Sequence, residues 1–220
     1  FADKDSWTIH QGWDAIDMSS RGSQDDFFQN VLNGDAFLYE DSIALDSTRK
    51  FLEIRKYGQK QTVNTGYDEA VKKFANGEAY MFFQGNWAYP MIKKINPDID
   101  LLFMPFPAYH ENQAKVVVKI DATLGVSASC KHLEAVEQFL DYVFSKNVSE
   151  YYADKAGAYS CIKSVDVEDS YAKAFTDSIR SGEFFLEEFA YETEKSDAIN
   201  ALFQNFISSP QRDTEKSFLK

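Results

Sequence analysis

Cysteine, histidine and proline are scarce in this chain of 220 residues, at two, three and five. Cys130 and Cys161 are too few for a disulfide scaffold and lack the C-x-x-C or Cys/His spacing of a zinc site. They read as free or half-buried thiols, with a single disulfide between them the lesser alternative. His10, His110 and His132 stand far apart in three different kinds of local sequence, and each reads as a surface or loop residue. There is no G-x-S-x-G elbow, no glycine-rich phosphate loop and no H-E-x-x-H helix. No apolar run approaches the roughly 20 residues that a membrane-spanning helix needs. The first residue is Phe1, with no initiator methionine and no charged-then-apolar leader, so the natural N-terminus is expected upstream.

Basic residues are also in deficit, 23 against 35 acidic ones, for a formal charge of -12. That balance argues against a nucleic-acid backbone or an anionic membrane surface as the main partner, and suits neutral or cationic ligands. Carboxylates are abundant enough that two could face each other across a cleft as a glycosidase acid and base would. Most of them, however, fall on helix faces or near helix starts, where they solvate the surface and meet the helix dipole. With 44% hydrophobic residues the chain buries a real core, as one large domain or two small ones.

Hydrophobic spacing then sets the order of elements. Phe1 to Gly22 shows no sustained period and reads as a strand end running into a loop or short helix, with aromatics that are not obviously core. Asp25 to Leu32 reads as a short helix stopped by Asn33-Gly34, and Ser42 to Tyr57 as a surface helix with one buried stripe. Tyr67 opens a further helix with Asp68 and Glu69 in its first turn, and Asn76-Gly77 ends it. Ala79 to Phe83 and Leu101 to Phe106 read as buried strands on either side of a helix from Trp87 to Ile95. Val116 to Ser127 is strand-like, and Ser129 to Phe144 carries Leu133, Val136, Phe139, Leu140 and Val143 on one helical stripe. Helices follow from Val148 to Asp154, Ser170 to Ile179, Ser196 to Ile207 and Asp213 to Leu219. Alternating strands and helices predict an α/β sheet covered by helices.

Among the aromatics, which make up 15% of the chain, Trp7, Trp13 and Trp87 stand beside small polar residues at predicted element boundaries. An indole plane flanked by Asn and Asp suits a sugar, which has an apolar CH face and polar hydroxyl edges. The plainer reading, that these are core-edge rings, stands beside it. The pair Tyr151-Tyr152 could in principle ligate ferric iron, but neighbours on a helix point about 100° apart, and packing is expected to claim one of them.

The pattern Phe74-x-x-Gly77-x-Ala79-x-Met81-x-x-x-Gly85-x-Trp87 resembles the helix, strand and tryptophan turn of the extracellular solute-binding proteins of bacterial ABC importers, in the carbohydrate-binding family that includes maltose-binding protein. Leu101 to Pro107 is similar to that family's strand ending in a Pro-x-Pro loop. Leu124-Gly125-Val126-Ser127-Ala128-Ser129 with Ala135, Phe139 and Leu140 resembles the strand and helix that follow. Tyr152 to Lys155, Ile162-Lys163 and Asn205 to Leu219 agree in order, while Ser160-Cys161 departs from a proline-containing stretch.

The resemblance implies an α/β, periplasmic-binding-protein-like type II fold, mainly the C-terminal lobe plus a helical segment of the other lobe. Residues 1–118 would be the first part of the C-terminal lobe, 119–163 a crossing strand and helices of the N-terminal lobe, and 164–220 the closing helices of the C-terminal lobe. It further implies a receptor subunit that closes on a mono- or oligosaccharide without chemistry, through Trp87, Asn86, Trp7, Asp5, Asp121 and Tyr191. No cofactor or metal is expected. The implied partners are the carbohydrate and the membrane permease subunits of an ABC importer, with no nucleic acid, for a monomer held outside the cell or in the periplasm by an upstream lipid anchor. The competing expectations are a secreted carbohydrate-active enzyme, or a same-fold binding protein for iron, a polyamine or a peptide.

Overall fold

The computed structural model of the protein describes residues 1–21, 26–106, 115–119, 123–156, 159–165, 173–187 and 193–208. Its first element is a helix, α1 (Trp7–Ser20), where the sequence predicted a strand end and a loop or short helix. Ile9, Trp13 and Ile16, at i, i+4 and i+7, form one fully buried stripe. Trp13 is therefore core, not a boundary ring. Gly12 hid the pattern, because a Cβ there would stand 3.2 Å from both Phe51 and Phe83. The glycine serves close approach of other elements rather than a turn. His10, predicted at the surface, is buried on the same helix, 3.1 Å from Asp14 and with its ring 5.1 Å from Phe203.

After α2 (Phe27–Asn33), α3 (Ser42–Arg55) packs along α1. Asp41 caps α3 by accepting from the Ala44 amide at 2.8 Å. The Trp13 indole N–H donates to Thr48 Oγ1 at 2.9 Å, and that hydroxyl donates to the Ala44 carbonyl at 2.8 Å, so the largest core ring has its polar atom satisfied. Arg21, just past α1, reaches both Asp17 and Asp41 and lies 4.0 Å from the centre of the Phe27 ring. Burial pushes the Asp17 carboxyl up to about 6, against the opposing pull of the Arg21 guanidinium.

A second core forms between α4 (Tyr67–Ala75) and α5 (Ala88–Ile95), from Val71, Ala75, Ala88 and Ile92. Gly77, at φ +79°, turns the chain out of α4 as Asn76-Gly77 predicted. The buried strands predicted at Ala79 to Phe83 and Leu101 to Phe106 are not formed, and Tyr80 and Met81 are 103% and 87% exposed. Both segments still contribute side chains: Phe82 and Leu101 pack on the α4–α5 core, and Phe83 and Phe106 meet at 5.0 Å beside the α1 core. An extended run becomes a strand only where a neighbour completes its ladder. Among the described residues the one sheet is the parallel pair β1 (Val116–Lys119) and β2 (Phe184–Glu187), in register from Val116↔Phe184 to Lys119↔Glu187.

The long crossover between these strands carries α6 (Leu133–Val143), α7 (Lys146–Ala156) and α8 (Lys173–Ser181). The apolar stripe of α6 is present but no residue of that helix is buried, and Leu133, Phe139 and Tyr142 are exposed together with Leu124 and Val126. Tyr151 and Tyr152 on α7 are both exposed, so packing claims neither. Both cysteines are free thiols, and His132 is exposed at the start of α6. The final helix, α9 (Thr193–Ser208), returns to α1, where Phe203 meets Trp13 edge-on at 5.7 Å. His110 and the helix predicted from Asp213 to Leu219 lie outside the described residues.

Thr48→Val keeps the shape of the side chain and removes the acceptor for the buried indole. It is expected to cost about 1–3 kcal/mol, the penalty of an unpaired buried donor, read as a lower urea midpoint with an unchanged slope. An unaltered midpoint would contradict the role given to this bond.

Candidate ligand-binding site

The loop before α1 is fastened from three sides. Gln204 on α9 donates to the carbonyls of Asp3 and Lys4 at 2.9 and 3.1 Å, and the Lys4 amide donates to the Thr65 carbonyl at 3.1 Å. Asp3 is buried against Arg55, whose guanidinium also donates to Thr62 Oγ1 at 3.1 Å. These contacts present Asp5 to the start of α4, where its carboxylate accepts from the Tyr67 amide at 2.6 Å. A carboxylate there satisfies one of the unpaired N–H groups of the helix start and meets the positive end of its dipole.

Trp7, the first residue of α1, then stands with its ring 5.3 Å from Tyr67 and 6.4 Å from Trp87. Trp87 is set by its own turn. A Cβ at position 85 would overlap its six-membered ring, so Gly85 makes the room in which that ring lies. Asn86 sits in the same turn, immediately before α5. Three rings thus converge between the two cores, beside an open depression of about 480 Å³ lined by Lys4, Asp5, Trp7, Gly66, Tyr67, Asp68 and Glu69.

The electrostatics of the corner are mixed in sign. Glu69 is held below its ordinary range by the hydrogen bond from Lys73, an exposed pair at 2.7 Å. Tyr67 is pushed up, first by burial and then by Asp68, with the Trp87 indole opposing. The Tyr67 hydroxyl oxygen is buried without a hydrogen bond of normal geometry. Lys119, the last residue of β1, holds its ammonium 5.9 Å from the centre of the Trp87 ring. Such a surface can stack an apolar ring face and hold polar edges.

Of the six residues that the sequence nominated, the structure brings Asp5, Trp7, Asn86 and Trp87 to one corner, while Asp121 and Tyr191 lie outside the described residues. Tyr67 and Lys119 join them without having been singled out. Tyr67 was legible only as a helix opener. Lys119 lay unmarked in an apolar run, and only the strand's position brings it to Trp87.

Residues 10–149 match the family described as bacterial extracellular solute-binding protein. That span holds Asn86 and Trp87 and begins after Asp5 and Trp7. The multiple sugar-binding protein of Streptococcus mutans serotype c is 29% identical over 136 residues, 62% of this chain and 31% of that protein. Among solved structures, the solute-binding protein RafE in complex with raffinose superposes with a TM-score of 0.75 at 22% identity, over 100% of this chain and 58% of its own. A chitin oligosaccharide binding protein gives 0.74 at 18%, over 100% and 56%. A sugar transporter from Bacillus licheniformis in complex with stachyose gives 0.72 at 17%, over 100% and 58%. The fold is therefore that of the periplasmic-binding-protein-like sugar binders, and this chain spans less than two thirds of the length of each of these proteins.

Gly85→Ala is expected to displace the Trp87 ring and so shift the tryptophan emission spectrum, while the unfolding free energy from urea titration falls by no more than about 1–2 kcal/mol because the ring can rotate away. In a Trp87→Phe background the same substitution should leave the spectrum unchanged. A spectral shift that persists there would place the effect on Trp7 or Trp13 instead.

Proposed function

The chain belongs to the bacterial extracellular solute-binding protein family, and on that premise we propose that it is the larger part of a sugar receptor serving an ABC importer. The observation that carries this reading is the convergence of Trp7, Tyr67 and Trp87 beside a carboxylate already fixed in place. Preset rings take the CH face of a saccharide at little ordering cost, and the polar groups at their edge satisfy its hydroxyls. The sugar-named relatives support the ligand class. Asp121 and Tyr191 complete the proposed set. The receptor works outside the cell or in the periplasm, delivers sugar to membrane permease subunits, and performs no reaction.

The division proposed for the chain is 1–118 and 164–220 in one lobe, with 119–163 in the other. It is supported by the apolar surface of that middle segment, where Leu133 and Phe139 on α6 are exposed, with Leu124 and Val126 exposed in the run before it. A stripe of this kind on a regular helix is built to be covered. The rest of a second lobe is the cover we assign to it, and its hinge closure would put the Trp87 corner opposite a second wall, so that sugar contacts both lobes only in the closed state.

The test is tryptophan emission of the protein at its full encoded length, titrated with raffinose, stachyose and chitin oligosaccharides. At least one sugar should give a saturable change, and Trp87→Ala should weaken it by about thirtyfold, as expected for a central aromatic contact worth about 2 kcal/mol. Turnover of any of these sugars, abolished by one Asp or Glu substitution, would replace the receptor with an enzyme.

A further inference from the structure

Tyr67 is held by its backbone and idle at its tip. Its amide donates to Asp5 Oδ2 at 2.6 Å, and Gly66 before it keeps that contact open, since a Cβ there would stand 3.2 Å from the same oxygen. Its ring lies 5.3 Å from that of Trp7, which in turn lies 6.4 Å from Trp87. The hydroxyl oxygen, however, is buried without a hydrogen bond of normal geometry. Asp14 and Arg55 also keep a buried atom without a bond, but each has another atom in an ion pair, whereas a phenol has a single polar atom. A buried hydroxyl without a partner destabilises the fold that contains it, so this one calls for a second state in which the bond is made.

The donor for that state is Trp87. Burial and then Asp68 push the Tyr67 phenol up, and the Trp87 indole opposes them by hydrogen bonding, yet its N–H falls short of a full bond in the ligand-free structure. Gly85 leaves the space in which the indole lies, so a small turn of that ring meets no side chain at position 85. We propose that Tyr67 is a positioning residue of the corner: a saccharide stacked on Trp87 seats the indole so that its N–H donates to the Tyr67 hydroxyl, and this bond holds the ring in its sugar-binding orientation. The indole carries its donor at the ring edge and presents its face to the sugar, so the two contacts do not compete. The hydroxyl acts through Trp87 and not on the sugar. The inference rests on the saccharide reading above and adds what fixes the stacking ring.

The test sets stability against affinity in the protein at its full encoded length, with Tyr67→Phe, which keeps the ring and removes the oxygen. Without sugar the urea midpoint of this variant should equal or exceed that of wild type, because no bond is lost and a buried hydroxyl is removed. Isothermal titration with raffinose, stachyose and chitin oligosaccharides should show each sugar that wild type binds weakened by about fivefold, the loss of one hydrogen bond made only in the bound state. The Trp87 indole N–H resonance, identified by its absence in Trp87→Phe, should move downfield and gain protection from solvent exchange when sugar saturates wild type, and should do neither in Tyr67→Phe. A lowered midpoint, an unchanged affinity, or the same indole response in both proteins overturns the assignment. Trp87→Ala separates the two claims. If it weakens the sugars while Tyr67→Phe leaves affinity and the indole resonance as in wild type, only the role of Tyr67 falls; if it weakens none, or wild type binds none, the saccharide reading of the corner falls as well.

Discussion

A charge-assisted hydrogen bond, with the Lys4–Thr65 backbone bond beside it, joins the two packed units at the place where the rings converge. The Tyr67 amide donates to the Asp5 carboxylate at 2.6 Å. On one side lies the core of Ile9, Trp13, Ile16, Phe51 and Phe203, and on the other that of Val71, Ala75, Ala88 and Ile92. The bond is charge-assisted and sits at the start of α4, where a helix favours a negative group. Because Trp7 is two residues from Asp5 and Trp87 is one residue before α5, this joint sets the distance between the two indoles. The buried Asp3–Arg55 pair and the reach of Gln204 from α9 keep the Asp5 loop from moving independently of the α1 core.

The helices were legible wherever an apolar stripe ran uninterrupted between a start and a stop signal, as in α3, α4, α5 and α9. α1 was not, because Gly12, Asp14, Asp17 and two serines dilute its pattern, and tertiary packing overrides the low propensity of such a stretch. The strands at Ala79 to Phe83 and Leu101 to Phe106 misled for the opposite reason. Their residues are apolar enough for a sheet, but strand formation is a property of pairs, and the described chain supplies no ladder partner for either.

The candidate site was half legible. Trp7 and Trp87 stood out by small polar neighbours, yet that same criterion also promoted Trp13, which is core, while Asp5 and Asn86 entered only with the family resemblance, as neighbours of the two rings. Tyr67 could not be found by pattern, since a tyrosine opening a helix is as common at the surface as in a site. Lys119 belongs to a contact between β1 and the α5 turn that no local period encodes. Such residues emerge only when the fold brings distant segments together.

The exposed stripe of α6 and the ring corner point in the same direction. Each is a surface prepared for something that the described residues do not supply, one apolar and continuous, the other aromatic with polar edges. The two-lobed receptor proposed above would account for both at once, with the stripe in the interior of a second lobe and the corner in the cleft between lobes.

The most direct measurement is a crystal structure of the protein at its full encoded length, grown with a saturating oligosaccharide. The account predicts a sugar ring stacked on the Trp87 indole at van der Waals distance, about 4 Å, with the α6 stripe covered by protein. A sugar bound away from Trp87, or a Trp87 ring enclosed by protein on both faces, would contradict it.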